Sequence, residues 1–397
     1  MSETKSTILR VDFFLSGFFL LLLGVGLATH LSASYLSAEF YRHDPYYYFK
    51  TQLTHMGFGW AALALFALIP TRELLRASVV LAVGSALLLL LPFIPGLGVS
   101  LNGASRWARI GGVSLQPSEF AKLGVVLYMA YSLARKGRLA EGFWYGFVPH
   151  SLVLGVFGLL IVMEKDLGGA VVLGIIVVAL SFAGGLKKRY LLAYAALAAV
   201  ACFFLVTQYS YRLDRLEGWR DPYADPQGVG YPILHSYYAF ANGGIFGAGL
   251  GASVEKRFYI PEVQTDYVFA VVGEEMGLIG VLFVAGLFLL FCLRGLVIAR
   301  AARDLGGRYL AIGATLMIGV PAFVNMAVAL SLVPAKGLAL PFFSQGGSNL
   351  VASMAAVGLI LNVARESGRA EAAPGGGDRE AWRPAPLKLV TGQAEAR

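Results

Sequence analysis

The sequence predicts an all-α, polytopic integral membrane protein with about ten transmembrane helices and a large extracytoplasmic loop before the eighth. Of the 397 residues, 57% are hydrophobic and only 14% are charged, and the mean hydropathy is +0.67. An ordinary soluble domain carries about 25% charged residues. Apolar runs of about 20 residues, the length that crosses a bilayer, recur along the chain. Together these observations favour a membrane domain and exclude a soluble one.

Ten apolar runs are the predicted membrane spans. Several contain Gly or Pro, which membrane helices tolerate where neighbouring helices satisfy the freed backbone groups. We expect a single membrane domain over residues 1–366 and a disordered cytoplasmic tail over 367–397, which is rich in Gly, Pro, Ala and charge. The spans are approximately 11–31, 53–70, 77–95, 118–134, 144–163, 167–185, 190–208, 267–293, 309–333 and 347–364.

The charged residues predict the orientation. Most of the 32 lysines and arginines fall on one side if the N-terminus is inside the cell, as the positive-inside rule requires. Both termini are therefore predicted to be cytoplasmic. The net charge of +8 does not indicate nucleic acid binding, because the basic residues are scattered through short loops. The first apolar run is too long for a cleavable signal peptide.

Four loops fall on the predicted outer side, at 32–52, 96–117, 209–266 and 334–346. The first is rich in tyrosine, which suits a membrane interface. In the second, Asn102-Gly103 is typical of a turn, and Pro117 suits the first turn of a helix. The third contains an apolar segment too short to span, followed by a glycine cluster at 242–251. We expect that segment to lie on the membrane or to re-enter it.

Asp266, at the start of the eighth span, is the first candidate functional residue. A charged side chain at the bilayer centre costs about 2.5–3.5 kcal/mol on insertion scales, so such residues are usually functional or paired. At 100° per residue, Asp266, Gly273, Gly277 and Gly280 share one stripe of a continuous helix, which would face other helices. Asp266 could act as a general base or simply cap the helix. Position alone leaves both interpretations open.

Two further groups of charges lie near the predicted outer surface. Glu119 and Lys122 are spaced to pair on one helix, and an intramembrane ion pair is the favoured interpretation. Glu164, Lys165 and Asp166 fall in a very short turn, where we expect solvated charges, although Asp166 could cap the sixth span.

Basic residues also collect on the predicted outer side, against the general trend. Such residues are usually only solvated, but their number around one acidic site suggests an anionic ligand, with phosphate the obvious candidate. The glycine cluster could let backbone amides approach a phosphate, or it could serve close packing. The same two interpretations apply to SQGGSN at 344–349. The basic residues are Arg106, Arg109, Arg212, Arg215, Arg220, Lys256, Arg257 and Lys336.

Several motifs together are highly specific. They are NGASRWARIGGVSLQPSEFAK (102–122), KDLGGA (165–170), GYPILHS (230–236), GGIFGAGLGASVEKRFYIPEVQTDYVFAVVGEE (243–275) and VPAKGLALPFFSQGGSN (333–349). In this order they resemble the SEDS family of shape, elongation, division and sporulation proteins, FtsW, RodA and SpoVE. The 247–262 stretch, GAGLGASVEKRFYIPE, is more similar to the FtsW type than to the RodA type. Lys165 departs from the family pattern, which usually has proline there.

The resemblance implies a peptidoglycan glycosyltransferase that polymerises lipid II at the outer face of the bacterial cytoplasmic (inner) membrane, for septal synthesis in division. Asp266 matches the family's essential aspartate, the candidate base. The predicted substrate-binding residues are Arg106, Glu119, Lys122, Arg212, Lys256, Lys336, Ser344, Gly346, Gly347 and Ser348. A divalent cation, Mg²⁺ or Mn²⁺, is an alternative source of positive charge, although no cofactor or metal cage is evident from the sequence.

The resemblance also implies partners: a class B penicillin-binding protein, which is a transpeptidase, and other proteins of the divisome or elongasome. The alternatives are a RodA-type elongation polymerase, a lipid II flippase, or a scaffold for the transpeptidase. A flippase requires polar residues through both leaflets. The predicted polar residues cluster outside, which favours the enzyme.

Overall fold

The computed structural model describes residues 12–101, 104–207, 210–257, 259–261, 263–334 and 337–371. Within these ranges the chain is almost entirely helical, with one small sheet. The helices are α1 (Phe13–Arg42), α2 (Tyr47–Leu68), α3 (Thr71–Leu88), α4 (Pro117–Lys136), α5 (Val148–Met163), α6 (Leu167–Ala183), α7 (Lys188–Thr207), α8 (Ser210–Arg220), α9 (Tyr231–Gly243), α10 (Val268–Arg300), α11 (Leu305–Ala329) and α12 (Gly347–Glu371). The strands are β1 (Gly98–Leu101), β2 (Ala104–Ile110) and β3 (Val113–Leu115).

Each predicted span overlaps one helix, and the predicted fold class, an all-α polytopic membrane protein, is confirmed. The spans correspond to α1–α7 and α10–α12, while α8 and α9 belong to the long loop before the eighth span. Among the described residues, six segments are long and apolar enough to cross a membrane: Phe13–Arg42, Thr71–Phe93, Phe143–Met163, Val268–Arg300, Leu305–Ala329 and Gly347–Gly368.

Local sequence signals start several helices. Asp166 accepts a hydrogen bond from the Gly169 amide at 3.0 Å and caps α6, as predicted. Asp304 caps α11 in the same way through the Gly307 amide at 2.7 Å. Pro117 is the first residue of α4, where its missing N–H costs nothing.

The core lies around α4, α11 and α12. These helices bury small and branched side chains against one another, including Val126, Ala314 and Ala356, each 0% exposed. Helices α1, α3 and α10 instead carry large apolar side chains that are exposed, such as Val80 and Leu282. Apolar surface of this extent indicates a lipid-facing perimeter around a packed centre.

The predicted loop at 96–117 forms an antiparallel sheet in the order β1-β2-β3. Ala108 pairs with both Gly98 and Leu115, so β2 is the central strand. Gly111 and Gly112, at φ 57° and 85°, join β2 to β3. A two-residue hairpin turn of this kind requires positive φ at both positions. The sequence predicted a loop here and missed the strands; Asn102 and Gly103 lie outside the described residues.

Two other predicted boundaries shift. Helices α1 and α2 extend into the tyrosine-rich region, so that only residues 43–46 connect them. Helix α12 continues to Glu371, past the predicted end of the membrane domain at 366. The rest of the predicted tail, 372–397, lies outside the described residues.

Helix α10 is broken at Gly277, which has φ 64° and ψ −164°. Asp266 precedes the helix, because the helical residues begin at Val268. The prediction that Asp266, Gly273, Gly277 and Gly280 form one stripe of a continuous helix is therefore wrong. A positive φ at a glycine costs little, so the break can occur at this position.

The glycine cluster at 242–251 packs against this break. The amides of Ala248 and Gly249 donate to the carbonyls of Glu274 and Glu275 at 2.9 and 3.1 Å. The Leu278 amide in turn donates to Gly244 at 2.9 Å. A side chain at Gly247 would lie 2.2 Å from the Glu275 carbonyl. Of the two interpretations of this cluster, close packing is the one that the geometry supports.

Candidate active site

The segment that carries Asp266 is held by hydrogen bonds from two directions. Asn325 of α11 donates to the carbonyls of Asp266 and Leu338, at 2.9 and 2.6 Å. Ser344 donates through its hydroxyl to the Thr265 carbonyl and accepts from the Leu340 amide at 2.8 Å. These bonds fix the backbone of Asp266 beside the segment that precedes α12. We call this side of the membrane domain the Asp266 side.

The side chains of Asp266 and Arg106 converge on Gly337. A Cβ atom placed on Gly337 would lie 3.4 Å from Oδ2 of Asp266 and 3.7 Å from Nη1 of Arg106. Gly337 has φ 60°, a conformation that residues with a side chain rarely adopt. Its bare backbone leaves room between a carboxylate and a guanidinium. The sequence predicted both charged residues for the site but did not single out Gly337.

The turn between α5 and α6 supports Arg106. Nη2 of Arg106 donates to the Lys165 carbonyl at 2.5 Å. Lys165 is exposed and has φ 62°, whereas Glu164 and Asp166 are 0% and 3% exposed. The predicted solvated charges are therefore wrong for these two carboxyl groups, because neighbouring helices cover the turn. Burial, with a contribution from Asp166, raises the pKa of Glu164 to about 9, and Arg106 opposes that rise.

The ion pair of Glu119 and Lys122 lies at the start of α4. The Lys122 ammonium is 2.8 Å from the Glu119 carboxylate, and both residues are buried. Asn349 of α12 donates to the same carboxylate at 3.3 Å, and the Ser348 hydroxyl accepts from the Gln116 amide at 2.8 Å. This geometry fits the favoured interpretation from the sequence, an ion pair that joins helices.

The residues at and just before the start of α12 connect the Asp266 segment to the ion pair of Glu119 and Lys122. Gln345 donates through its backbone amide to the Gln264 carbonyl at 2.8 Å, next to the Asp266 segment. Gly346 and Gly347 follow, and a Cβ atom on Gly347 would lie 2.7 Å from the His55 ring. The structure therefore brings Asp266, Arg106, Glu119, Lys122, Ser344, Gly346, Gly347 and Ser348 into one continuous region.

Lys256 belongs to a separate cluster and needs a correction. Its ammonium donates to Glu275, the Ser32 hydroxyl and the Gly251 carbonyl, each at 2.7 Å. A lysine has three N–H donors, so this arrangement leaves none for a substrate phosphate. The residue is 5% exposed. The predicted substrate-binding role of Lys256 conflicts with this geometry, because the ammonium group already forms an ion pair with the buried Glu275 carboxylate.

Two predicted binding residues fall at the edges of the described ranges. Lys336 lies outside the described residues, and so does the side chain of Arg212, whose backbone lies in α8. The described ranges contain no group of three or more His, Cys, Asp and Glu side chains that could hold a metal ion. Asn325 is not among the predicted site residues, although a lone amide inside an apolar span is a sequence signal for such a role.

Fold and site define a polytopic membrane protein with a charged site at one end of its helix bundle. Residues 13–369 match the family model of the FtsW, RodA and SpoVE cell cycle proteins. The chain belongs to this family, so the predicted resemblance is confirmed.

The similar curated proteins carry two kinds of name. A probable peptidoglycan glycosyltransferase FtsW of Geobacter metallireducens is 43% identical over 338 residues, which cover 85% of this chain and 90% of that protein. The stage V sporulation protein E of Bacillus subtilis is 38% identical over 351 residues, covering 88% of this chain and 95% of that protein.

Solved structures share the fold. A chain from a peptidoglycan synthase complex that coordinates polymerization and crosslinking superposes with a TM-score of 0.74 at 30% identity, covering 90% of this chain and 99% of that chain. The rod shape determining protein RodA of Thermus thermophilus superposes with a TM-score of 0.66 at 27% identity, covering 90% and 98%.

Proposed function

We propose that this chain is a peptidoglycan glycosyltransferase of the FtsW type that polymerises lipid II for septal wall synthesis. The observation that carries this proposal is the convergence of the Asp266 carboxylate and the Arg106 guanidinium on Gly337. The names of the similar proteins supply the reaction class. We take the Asp266 side to be the outer face of the cytoplasmic membrane, with both termini in the cytoplasm, because the basic loops lie on the opposite side.

The chemistry requires a base and a cation. Asp266 takes the proton from the hydroxyl group of the acceptor sugar, and that oxygen attacks the anomeric carbon of the donor sugar. The bond from this carbon to the pyrophosphate breaks, and undecaprenyl pyrophosphate leaves with the electron pair. Arg106 stabilises the charge that develops on the leaving group. Lys336, which precedes Gly337 in the chain, is a second candidate for this role.

The remaining residues of the site serve its geometry. Ser344 orients the Asp266 segment through the Thr265 carbonyl. Glu119, Lys122 and Ser348 hold the start of α12 against α4. Gly347 allows the close approach of His55, and Gly346 lies against Asn349, where an added Cβ would be 3.6 Å from the Asn349 Cβ. In this proposal the positive charge comes from side chains, and a Mg²⁺ or Mn²⁺ ion would bind through the substrate pyrophosphate rather than through a protein cage.

The proposed partner is a class B penicillin-binding protein, a transpeptidase of the divisome that cross-links the new strand. The structural similarity to a chain of a peptidoglycan synthase complex supports a partner of this kind. The identity of 43% to a protein named FtsW favours division over elongation.

The test is polymerisation of labelled lipid II by the purified protein reconstituted with its transpeptidase. We expect Asp266→Asn to lower the rate by about 10²–10⁴-fold, the range that general base catalysis contributes. Asp44→Asn is the matched control, because Asp44 is accessible and its partners among the described residues are local, the Lys50 ammonium at 2.9 Å and the Tyr46 backbone amide at 3.0 Å. It should polymerise at the rate of the parent.

Full polymerisation by folded Asp266→Asn would contradict the proposed base. A parent protein that moves lipid II across vesicle membranes but makes no polymer would favour the flippase instead. Complex formation with the transpeptidase, measured by co-purification, must be retained in both variants.

A further inference from the structure

Glu164 is a buried carboxyl group that the proposed reaction does not use. It is 0% exposed, and neither of its oxygens has a hydrogen-bond partner among the described residues. Buried polar atoms are nearly always hydrogen-bonded, so an exception needs an explanation. An ionised carboxylate without a partner is especially costly to bury. The site therefore favours an uncharged carboxyl at this position.

The neighbour of Glu164 is Arg106, whose guanidinium faces Asp266 across Gly337. Nη2 of Arg106 bonds to the carbonyl of Lys165, the residue next to Glu164. Nε of Arg106 is buried and has no acceptor in the described part of the chain. Among the described residues, the Nε donor of Arg106 therefore has no acceptor and the Glu164 carboxyl has no donor, while the charge of Arg106 acts on that carboxyl. The charged groups that act on Glu164 are Arg106, from β2, and Asp166, from the same turn.

We propose that Glu164 is a positioning residue: uncharged, it leaves the Arg106 guanidinium available to the Asp266 site, and ionised, it draws Arg106 away. When Glu164 loses its proton to water, the carboxylate accepts a charge-assisted hydrogen bond from the guanidinium. The leaving pyrophosphate then loses part of its positive counter-charge. This inference rests on the proposed function, because it concerns the same cation.

The direction of titration follows from burial. Burial and Asp166 raise the pKa of Glu164 to about 9, against the effect of Arg106. The carboxyl is therefore uncharged near pH 7 and ionises in the alkaline range. Because the folded-state pKa lies above the unfolded value of about 4.3, the folded state holds the extra proton between these values. The stability that it contributes is complete below the unfolded pKa and is lost as the pH rises towards 9.

The first experiment is a pH–rate profile of lipid II polymerisation by Glu164→Gln. An amide is uncharged at every pH, so we expect a rate at pH 7 within about twofold of the parent. The parent should lose activity above about pH 9, and the variant should keep it. The exposed Glu39, varied to Gln, is the matched control and should follow the parent profile. A buried group that matters only for folding would lower the rate equally at all pH values.

The second experiment does not depend on activity. Thermal unfolding of the detergent-solubilised protein is followed from pH 5 to pH 9. We expect the difference in Tm between Glu164→Gln and the parent to grow with pH in favour of the variant, because the parent alone must lose a proton on unfolding. Parallel Tm curves, or identical alkaline loss of activity in parent and variant, would overturn the proposal.

A third variant keeps the proposal testable if the Glu164→Gln protein does not fold. Glu164→Met is also uncharged and of similar length, and it should show the same flat alkaline profile. If a folded Met or Gln variant retains the alkaline loss, Glu164 does not control Arg106. If the parent makes no polymer at all while the Tm difference still grows with pH, the proposed function fails and the uncharged state of Glu164 stands.

Discussion

Two clusters of charged side chains lie along the same stretch of chain, residues 263–276, and they use their hydrogen-bonding groups differently. In the Glu274 cluster, the carboxylate of Glu274 accepts from Asn242, the Ser253 hydroxyl and the amides of Val254 and Glu255. Glu275 pairs with Lys256 at 2.7 Å. In the Asp266 cluster, buried atoms of Arg106 and Glu164 have no partner among the described residues.

This difference in hydrogen bonding distinguishes a cluster that stabilises the fold from a cluster that serves the reaction. Partners within the protein compensate for the burial of charge in the Glu274 cluster, and they anchor the 244–257 segment to the break in α10. Such a network resists change, because removing one member leaves another charge buried and alone. In the Asp266 cluster, buried polar atoms of Arg106 and Glu164 lack partners within the described ranges, an exception that needs an explanation other than stability. The sign of a charge alone cannot distinguish the two cases.

The largest effect is expected in the Glu274 cluster. Lys256→Met leaves the Glu275 carboxylate buried without its cation and should lower the free energy of unfolding by about 3–5 kcal/mol. The double variant Lys256→Met/Glu275→Gln should recover part of this loss. Denaturant or thermal unfolding in detergent measures both. Lys50→Met, at the exposed ion pair with Asp44, is the control and should change stability little.

A stable Lys256→Met variant that no longer polymerises lipid II would show that the Glu274 cluster serves the reaction and not the stability of the fold. It would restore the sequence-based interpretation, in which Lys256 binds substrate.

A smaller effect on stability and a larger one on activity are expected at Gly337. Gly337→Ala places a methyl group 3.4 Å from Oδ2 of Asp266, in the space that faces Arg106. The positive φ should cost roughly 1–2 kcal/mol of stability, whereas misplacement of the catalytic groups can lower the rate by about 10²-fold. Gly96→Ala is the matched control, because Gly96 has φ 85° and open space where its Cβ would lie. Equal loss of activity in the two variants would show that the space between Asp266 and Arg106 at Gly337 is not needed for the reaction.

The smallest effect is expected on the opposite side of the membrane domain, where Asp12 and Arg294 pair at 2.5 Å. Asp12→Asn keeps the N-cap acceptor for α1 and removes only the charge, so the loss should be about 1 kcal/mol or less. Burial raises the pKa of Asp12, but the hydrogen bond and charge of Arg294, together with the backbone amides of Leu15 and Phe14, outweigh burial and hold the pKa below its usual value.

This pair also has a defined pH dependence. Because the folded-state pKa of Asp12 is the lower one, the stabilisation is present above the unfolded value of about 3.9 and is lost as the pH falls through the folded value. The Tm difference between parent and Asp12→Asn should therefore shrink in acid. A difference that is constant with pH would show that the pair contributes nothing.

Much of the fold and part of the site follow from the sequence. Runs of about 20 apolar residues locate the spans because only helices satisfy the backbone within lipid. Asp266, Arg106 and the pairing of Glu119 with Lys122 stand out because charge is rare in such runs. Strands β1–β3 could not be predicted, since their alternation is short and interrupted by glycines. The break in α10 at Gly277 could not be predicted either, because a glycine is compatible with both a continuous helix and a broken one.

The sequence by itself determined the class of this protein, a membrane helix bundle with acidic and basic residues grouped near one surface, because hydrophobicity and charge act locally along the chain. Only the tertiary structure decided what each charge does. Lys256 and Arg106 have the same sign and both belong to loops on the Asp266 side, yet one is enclosed by three acceptors and the other faces Asp266 across Gly337. The partners of a buried charge come from distant parts of the chain, and only folding brings them within hydrogen-bonding distance.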